Sequence, residues 1–376
     1  MNKTVMTIEF GTSKIVCSVG KKKSRGRFEI AFLLPTLYEG FKKGEWLALD
    51  NVTGHLKSAL DEVETRTRDK ITDVYVGVPA SFTKVHCSFS SIDFDDRKTV
   101  ITPDVIDEMV SRADNFYVPD DYELIECSSV FFKVDNESLF IDPVGVEANF
   151  IEGQFSFIYA KKSFIHEVES ILDILNLSVS GFRPEILCQS LFLIPIEDRD
   201  SSSIMLDIGF NDTNVTIAYG DAVIYSRVIP VGGAHISSDL ANCLNIDSKA
   251  AERLKRRYAF DGSRYAGSST ETIRLVNGDL VEFDKGMISD IVEARVDHLC
   301  ELVVKTLEKS NIVLPKTTKV YLSGAGVSMM RGSVLYLKEH LGRAIILPEI
   351  ETANYSTPNY YNSIGLLDYV LTNDII

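Results

Sequence analysis

The sequence predicts a duplicated α/β fold with two lobes, each of which is extended by a smaller domain. Two observations favour this fold class. The 376 residues exceed what one hydrophobic core usually contains, and the hydrophobic (45%) and charged (25%) fractions are those of an ordinary globular protein. In addition, the predicted order of strand, turn, strand and strand at the N-terminus returns after residue 200.

Four strands and one helix are predicted at the start of the first lobe. Apolar or alternating runs at Val5–Ile8, Ile15–Val19, Phe28–Leu33 and Val74–Val78 have the length of strands, and helical periodicity near Val52–Glu64 precedes the last of them. A helix between two strands is typical of a crossover connection. We therefore expect a mixed sheet whose later strands join in parallel.

A small α+β domain is predicted at residues 84–158. Short strand-like segments there flank one helix, whose start is marked by Thr102 as the cap and Pro103 at the first helical position. Helical periodicity resumes after this domain and is followed by the helical stretch LCQSLFLI. The first lobe is therefore assigned to residues 1–83 and 159–199.

The second lobe is predicted at residues 200–236 and 315–376, interrupted by a mainly helical subdomain at residues 237–314. Its opening segment, LDIGFNDTNVTI at 206–217, repeats the pattern of IEFGTSKIV at 8–16: an acidic residue between apolar ones, then Gly, small polar residues and another strand. Two related halves that face each other would place these turns on opposite sides of one cleft.

Each of the two turns is a candidate phosphate cradle, because Gly followed by small polar residues leaves backbone N–H groups uncovered. The candidates are Gly11, Thr12 and Ser13 in the first turn and Gly209, Asn211, Asp212 and Thr213 in the second. Lys14 would neutralise a phosphate, and Glu9 and Asp207 would hold Mg²⁺ through its water shell. An ordinary hairpin turn is the alternative for either turn alone.

A third glycine turn follows a predicted strand near the end of the chain. VYLSGAG ends in Ser323, Gly324, Ala325 and Gly326, where the backbone can approach a flat adenine or ribose closely. The alternative is a tight turn that packs a helix on the sheet. The order of two phosphate-type hairpins followed by this turn favours a nucleotide site.

Composition excludes some classes of function. Lys plus Arg number 39 against 54 Asp plus Glu, and a net charge of -15 argues against binding a nucleic-acid backbone. We recognise neither a signal peptide nor an apolar run of membrane-spanning length, so we expect a cytoplasmic protein. The cysteines have no CxxC spacing and are expected to be buried thiols in a reducing compartment. They are Cys17, Cys87, Cys127, Cys188, Cys243 and Cys300.

The motifs resemble those of the actin-like ATPase superfamily and, within it, the bacterial cell-division family FtsA. IEFGTSK is similar to the first phosphate motif, LDIGFNDTNVTIAYGD to the second and VYLSGAG to the adenosine motif. The resemblance covers nearly the whole chain and implies a ribonuclease H-like duplicated ATPase fold with ATP and Mg²⁺ as cofactors. The segments most similar to FtsA are DPVG at 142–145, VIPVGGAHISSDLA at 228–241, AERLK at 251–255, IVEARVDHL at 291–299 and SIGLLDYV at 363–370.

This resemblance implies a role for each nucleotide-binding residue. The phosphates would contact Gly11, Thr12, Ser13, Lys14, Gly209, Phe210, Asn211, Asp212 and Thr213, with a backbone contact from Gly233. Glu252 and Lys255 would hold the ribose or adenine, and Gly324, Ala325 and Gly326 would line the base. The second motif reads DIGFNDT where many relatives have DIGGGT, and Glu9 replaces an Asp. Both departures favour a weak ATPase at most.

No general base is obvious between the motifs. Glu185, in FRPEILCQSL, lies in the connecting region where a base would be expected. We interpret it instead as a solvated carboxylate at the start of a helix. The catalytic residue is therefore left unassigned.

The resemblance further implies partners: other FtsA molecules in filaments, divisome proteins at the inserted domain, and the C-terminal tail of FtsZ at the helical subdomain. Arg295 is expected to bind that tail, with packing inside the subdomain as the alternative. A basic cluster in the same subdomain supports a peptide site, although a solvated helix face would also explain it. The cluster comprises Lys249, Arg253, Lys255, Arg256, Arg257 and Arg264.

Membrane attachment in the FtsA family uses a C-terminal amphipathic helix. The final segment LLDYVLTNDII carries two acids and no Lys or Arg, so we expect membrane contact only through a helix absent from this chain. The implied location is the cytoplasmic face of the inner membrane at the division site. A PilM-like pilus-assembly adaptor is the nearest alternative, and a small-molecule kinase of the superfamily is a further one. DPVG and IVEARVDHL favour FtsA.

Overall fold

The structure, a computed structural model, describes residues 4–22, 28–95, 97–135, 138–260, 269–350, 352 and 355–375. Within these ranges the chain forms two five-stranded sheets, one four-stranded sheet and three two-stranded ribbons. Arg264, which belongs to the predicted basic cluster, lies outside the described residues.

The first half of the chain forms one lobe and the region inserted in it. The lobe begins with β1 (Thr4–Phe10), β2 (Lys14–Lys22), β3 (Phe28–Leu37), β4 (Phe41–Lys42), β5 (Glu45–Trp46), α1 (Leu49–Thr67) and β6 (Asp73–Val78). The inserted region contains β7 (Thr83–Asp93), β8 (Thr99–Val100), α2 (Pro103–Ala113), β9 (Tyr122–Val134), β10 (Ser138–Phe140), β11 (Glu147–Ala148) and β12 (Phe150–Lys161). The lobe resumes with α3 (Lys162–Ile174), β13 (Ser178–Pro184), α4 (Glu185–Leu193) and α5 (Ile196–Arg199).

The second half begins with β14 (Ser203–Ile208), β15 (Thr213–Tyr219), β16 (Ala222–Ile229), α6 (Gly233–Leu244), α7 (Ser248–Arg257), β17 (Thr270–Arg274), β18 (Leu280–Asp284) and α8 (Lys285–Lys309). It ends with β19 (Val320–Ser323), α9 (Ser333–Leu341), β20 (Ile345–Ile346) and α10 (Tyr361–Tyr369), which a π-helical turn (Val370–Asp374) extends. Within the described ranges, no helix is both long and apolar enough to span a membrane.

The two five-stranded sheets have the same strand order and the same strand directions. The order is β3-β2-β1-β6-β13 in the first lobe and β16-β15-β14-β19-β20 in the second. In each sheet the first three strands pair antiparallel, and the fourth and fifth join in parallel. This confirms the predicted duplication and the predicted mixed sheets.

A cluster of aromatic side chains packs in the core of the first lobe. Phe10, Phe41, Phe82 and Phe164 are fully buried. Trp46 stacks on Phe164 with ring centroids 5.8 Å apart and meets Phe10 edge-to-face at 5.5 Å. Aromatic pairs of this geometry contribute about 0.5–1.5 kcal/mol beyond the area that they bury. Because Phe10 is the last residue of β1, this cluster also anchors the turn that follows it.

The sheet β10-β9-β12-β7 occupies the region predicted as an inserted domain, although β7 begins one residue before it and β12 ends three residues after it. The sheet packs against strand β16 of the second lobe. Ser156 of β12 donates its hydroxyl to the carbonyl oxygen of Val223, and the Cys87 thiol lies 3.5 Å from the carbonyl oxygen of Ile224. Thr102 is the cap residue of α2, but its side chain makes no capping hydrogen bond. The domain boundaries themselves stay predictions.

The predicted helical subdomain contains a hairpin that the sequence pattern did not reveal. Strands β17 and β18 pair antiparallel between helices α7 and α8. Only Ile273 is buried in the two strands, so their alternation of apolar and polar residues is weak. Helix α6 also begins at Gly233, before the predicted boundary at residue 237.

Candidate functional site

A cavity of about 480 Å³ lies between the two lobes. Its wall is formed by the turns that follow β1 and β14, by the loop after β19, by α7 and by the residues around the start of α10. The predicted site residues in this wall are Glu9, Gly11, Thr12, Ser13, Lys14, Asp207, Gly209, Phe210, Asp212, Glu252, Lys255, Gly324, Ala325 and Gly326. The structure thus brings most of the predicted site together.

Three predicted site residues brace the two turns rather than line the cavity. Thr213 is buried and donates its hydroxyl to a backbone carbonyl 2.7 Å away. Asn211 donates its backbone N–H to Oγ1 of Thr12 at 3.3 Å and its side-chain amide to the Thr12 carbonyl at 3.4 Å. The N–H of Gly233 donates to the carbonyl of Gly209 at 2.9 Å. The predicted ligand contacts of these three residues stay predictions.

The two turns have the same backbone geometry. In the first, the N–H of Gly11 donates to the carbonyl of Lys14 at 2.9 Å, and in the second the N–H of Gly209 donates to the carbonyl of Asp212 at 2.8 Å. The strand pairs also end at equivalent positions in the two hairpins. Lys14 and Asp212 are therefore equivalent residues with opposite charges.

The loop after β19 packs directly against the second turn. Gly324 has φ +75°, and a Cβ at this position would lie 2.3 Å from both the Asp207 carboxylate and the Ile208 carbonyl. A Cβ at Gly326 would lie 2.4 Å from the carbonyl of Gly209. Only glycine allows this left-handed conformation and this approach at Gly324.

Side chains also hold the first turn. The hydroxyl of Tyr38 donates to the carbonyl of Gly11 at 2.7 Å. Nζ of Lys14 donates to the carbonyl of Asn359 and lies 5.0 Å from the ring centroid of Tyr360. The cation at this turn therefore contacts the segment that leads into α10.

The acidic residues before the two turns are each held by a helix from the opposite half of the chain. Gln189 of α4 donates to Asp207 at 3.0 Å and also to Ser323 at 3.0 Å. Asn362 of α10 donates to Glu9 at 3.3 Å, and the hydroxyl of Ser363 donates to the second oxygen of Glu9. The acids before both turns are therefore hydrogen-bonded to side chains of one pair of helices, α4 and α10.

Glu185 is buried in the cavity wall, which contradicts the interpretation of a solvated carboxylate. Its exposed fraction is 6%, because α10 packs across the start of α4. Asn362 donates to Oε2 of Glu185 at 2.8 Å, whereas Oε1 has no hydrogen-bond partner within the described residues. A Cβ at Gly77 would lie 2.6 Å from Oε1, so the strand below Glu185 leaves room for the carboxylate.

Burial changes the acid–base properties of the cavity. It raises the pKa of Glu185 well above the ordinary value, and the nearby charge of Glu9 raises it further. Burial likewise raises the pKa values of Asp207 and Asp212 to about 6, against the effect of hydrogen bonds from Gln189 and Ser81. A cavity with two buried and two partly buried carboxylates favours a bound cation.

Glu252 and Lys255 form one side of the cavity as an ion pair in which Lys255 is buried and Glu252 is partly exposed. Nζ of Lys255 lies 2.8 Å from Oε2 of Glu252 and 3.2 Å from the carbonyl of Gly233, to which it donates. Ser237 also donates to Glu252, at 2.6 Å. The second oxygen of Glu252 pairs with the exposed Arg256 at 2.8 Å. The wall predicted to hold ribose or adenine is therefore rigid and charged.

The basic cluster does not form one uncompensated face. Lys255 is buried beside Glu252, Arg257 lies 3.7 Å from Glu271, and Arg253 donates to a backbone carbonyl of β17. Internal partners therefore account for much of this charge.

Arg295, predicted to bind a partner peptide, lies on α8 and outside the cavity wall. It makes a bidentate pair with Asp239 of α6, with nitrogen–oxygen distances of 2.5 and 2.9 Å, and a quarter of its side chain is exposed. A partner carboxylate would have to compete with Asp239. The predicted role of Arg295 in a partner interface stays a prediction.

The cysteines match their expected burial only in part. Cys17, Cys188 and Cys300 are buried free thiols, whereas Cys243 is exposed on α6. Burial raises the pKa of the Cys17 thiol to about 12, so this thiol stays protonated. The expectation of a buried thiol is therefore wrong for Cys243.

Sequence reasoning missed Gln189, Asn362, Ser363 and Ser81, which hold the acids of the cavity. Asn362 and Ser363 follow the two acids they contact by at least 177 positions, so no local spacing could reveal them. One signal was available: Ser363 opens the SIGLLDYV segment that resembles FtsA, and Asn362 directly precedes it.

Solved structures with the same fold define the class of protein. The PilM–PilN type IV pilus biogenesis complex matches with a TM-score of 0.67 and 16% identity over 98% of both chains. MreB5 of Spiroplasma citri bound to ADP matches with a TM-score of 0.59 and 11% identity over 99% of this chain and 98% of that one. The fold is therefore that of the actin-like ATPases.

Sequence comparisons define the family. A family model described as cell division protein FtsA matches residues 204–365, and a second, the SHS2 domain inserted in FtsA, matches residues 83–159. Together they span more than half of the chain. The cell division protein FtsA of Pseudomonas aeruginosa is 24% identical over 98% of this chain and 89% of its own length. The chain belongs to the FtsA family of cell-division proteins.

Proposed function

We propose that this FtsA-family chain binds ATP with Mg²⁺ in the cavity between its lobes. One observation carries the proposal: two equivalent hairpin turns and the glycine loop at 324–326 line a single cavity. Backbone amides of such turns bind phosphate oxygens, and close backbone approach suits a flat base. MreB5, which shares the fold, was solved with ADP.

The donor set of the cavity fits magnesium. Glu9 is 7% exposed, and Asp207 is partly buried. Carboxylate oxygens are the ligands that Mg²⁺ prefers, and this ion keeps most of its water molecules. Glu9 and Asp207 would therefore hold it through water, while Lys14 would balance phosphate charge. Bound Mg²⁺ would neutralise the phosphates and polarise them.

The chain is proposed to be a weak ATPase at most, with Glu185 as the residue that holds the attacking water. The Oε1 atom of Glu185 is a buried acceptor without a partner within the described residues. Its raised pKa makes the carboxylate a stronger base than a solvated one. Slow turnover suits a nucleotide that acts as an assembly ligand.

The cellular role proposed is to polymerise and to link FtsZ filaments to the membrane-bound divisome at the cytoplasmic face of the inner membrane. Membership of the FtsA family supports this role, as does the match of residues 83–159 to the domain inserted in FtsA. The inserted domain would bind other divisome proteins, and the helical subdomain around Arg295 would bind the FtsZ tail.

Calorimetry with ATP and ADP tests the nucleotide proposal. We expect saturable binding of both that is tighter with Mg²⁺ than with EDTA, and weaker binding of GTP. The absence of binding heat with any adenine nucleotide, at protein concentrations that detect a Kd of about 1 mM, would contradict it.

A pilus adaptor role is the second candidate, because the PilM–PilN complex shares the fold over nearly the full chain. Co-sedimentation with an FtsZ tail peptide and with a PilN peptide separates the two. We expect binding of the FtsZ peptide alone. Binding of only the PilN peptide would assign the chain to pilus assembly.

A further inference from the structure

We propose that Asn362, at the start of α10, is a positioning residue that joins Glu9 to Glu185 and sets the charge balance of the cavity. This inference rests on the proposed nucleotide site. Its thermal test, however, needs no nucleotide. The carboxamide matters in this proposal because it is neutral and carries two N–H donors.

The geometry shows one amide nitrogen shared between two carboxylates. Nδ2 of Asn362 lies 2.8 Å from Oε2 of Glu185 and 3.3 Å from Oε1 of Glu9. Both acids are more than nine-tenths buried. A buried carboxylate without a hydrogen-bond donor would destabilise the folded state. Ser363 satisfies the second oxygen of Glu9. Every carboxylate oxygen of this pair except Oε1 of Glu185 therefore has a donor from α10.

The bridge also fixes which oxygen of Glu185 stays available. Because Oε2 accepts from Asn362, Oε1 is left without a partner in the described part of the chain and lies over Gly77. Helix α10 is itself rigidly placed, since a Cβ at Gly365 would lie 3.1 Å from a backbone carbonyl of α4. Asn362 thus holds Glu185 in one orientation relative to the cavity.

A side chain that only fills space would behave differently from a bridging donor. Asn362→Asp keeps the size but replaces the donor with a third carboxylate. We expect its melting temperature to fall by at least about 4 °C, because one buried acid loses its donor and a like charge is added. MgCl₂ alone should then raise the melting temperature of Asn362→Asp more than that of the unchanged protein.

A charge exchange gives the decisive comparison. In the double variant Asn362→Asp/Glu185→Gln the amide and the carboxylate trade places, so the hydrogen bond reverses and the charge count is restored. We expect the double variant to regain at least half of the melting temperature lost in Asn362→Asp. Additive losses would overturn the proposal. If Asn362→Asp does not fold, folding of the double variant supports the proposal and its failure to fold overturns it.

Asn373→Asp is the matched control, because Asn373 is exposed and contacts only the backbone of its own helical turn among the described residues. It should leave the melting temperature and its response to MgCl₂ unchanged. An equal effect in both variants would assign the loss to the C-terminal segment in general and overturn the role of Asn362.

Calorimetry with ADP then links the bridge to the nucleotide. Asn362→Asp should weaken ADP binding at least about tenfold in EDTA and less than about threefold with saturating Mg²⁺. Equal loss in both conditions would overturn the charge-balance role. Failure of the unchanged protein to bind ADP would instead refute the proposed function, while the thermal comparison would still decide the role of Asn362.

Discussion

The turns after β1 and β14 have the same backbone geometry but differ in the charge of one side chain. Lys14 and Asp212 are equivalent, since the carbonyl of each accepts from the glycine of its turn at 2.9 and 2.8 Å. The ammonium of Lys14 reaches the carbonyl of Asn359, whereas the carboxylate of Asp212 accepts from Ser81 at 3.1 Å. The two halves of the duplicated fold thus have the same turn backbone but different side chains.

The equivalence extends to the glycines that cover the two turns. Gly40 follows β3 and Gly232 follows β16 at the same distance along the chain. A Cβ at Gly40 would lie 2.7 Å from the carbonyl of Thr12, and one at Gly232 would lie 2.6 Å from the carbonyl of Phe210. The backbone of each half therefore builds one wall of the site, and the side chains determine its charge.

The largest effect is expected where the glycine loop after β19 packs against the second turn. Gly324→Ala should lower ADP affinity at least about 100-fold and destabilise the fold by more than about 2 kcal/mol. The reason is a Cβ 2.3 Å from the Ile208 carbonyl, added to a left-handed φ of +75°. Calorimetry and thermal unfolding measure the two effects.

Gly342→Ala is the control for backbone strain alone. Gly342 has φ +62°, but a Cβ there meets nothing within 4 Å. We expect about 1–2 kcal/mol of destabilisation and unchanged ADP affinity. Equal effects of the two variants on ADP binding would show that the contact at Gly324 does not shape the site.

The backbone cradle could be predicted from the sequence, because its signals are local. An acidic residue, a glycine and small polar residues between two apolar runs define each hairpin within ten positions. The parallel addition of β6 and β19 follows from the crossover elements that precede them. The hairpin β17–β18 was missed because its strands are five residues long and only Ile273 is buried in them, so the alternation is weak.

The acids of the site could be predicted only in part, because their environment depends on distant packing. Glu185 begins a helix after Pro184, a position where carboxylates are usually solvated. Its burial results from α10, whose Asn362 lies 177 positions away. Charge at such a site is thus decided by tertiary contacts that periodicity and spacing do not encode.

Removing the positive charge of Lys14 from the first turn is the second test of how the two turns differ. Lys14→Ala should weaken ADP binding about tenfold, with a larger loss at low salt, because its ammonium is the charged group that distinguishes this turn from the second. Lys57→Ala, an exposed lysine on α1, is the control. An equally small change in both variants would mean that the charge of Lys14 does not act on the phosphates.

Removing the anion of the second turn should have the opposite sign. Asp212→Asn is expected to strengthen ADP binding in EDTA about threefold, because a carboxylate beside the phosphates is lost. Weaker ADP binding by Asp212→Asn would contradict a repulsion between the Asp212 carboxylate and the phosphates.

The same variant should change how stability depends on pH. Burial raises the pKa of Asp212 from 3.8 to about 6, so the folded state favours the protonated acid. The stability contributed by protonation is present near pH 4 and is lost as pH rises through about 6. From pH 5 to 7 the unchanged protein should lose about 1 kcal/mol relative to Asp212→Asn. Chemical denaturation at the two pH values measures the difference, and parallel curves would contradict it.

The smallest effect is expected at another difference between the turns, where Phe210 of the second turn is equivalent to Thr12 of the first. Phe210 is 44% exposed and lies in the cavity wall, so it contributes little buried area. Phe210→Thr makes the second turn resemble the first while leaving its backbone bonds, including the one from Ala234 to the carbonyl of residue 210, in place. ADP affinity should change about twofold or less, because the backbone of this turn, and not the Phe210 side chain, is expected to contact the phosphates. Leu37→Thr, a second exposed apolar residue of the wall, is the control. A loss of more than about tenfold in Phe210→Thr alone would show that this ring contacts the nucleotide, and that side chains as well as backbone separate the two turns.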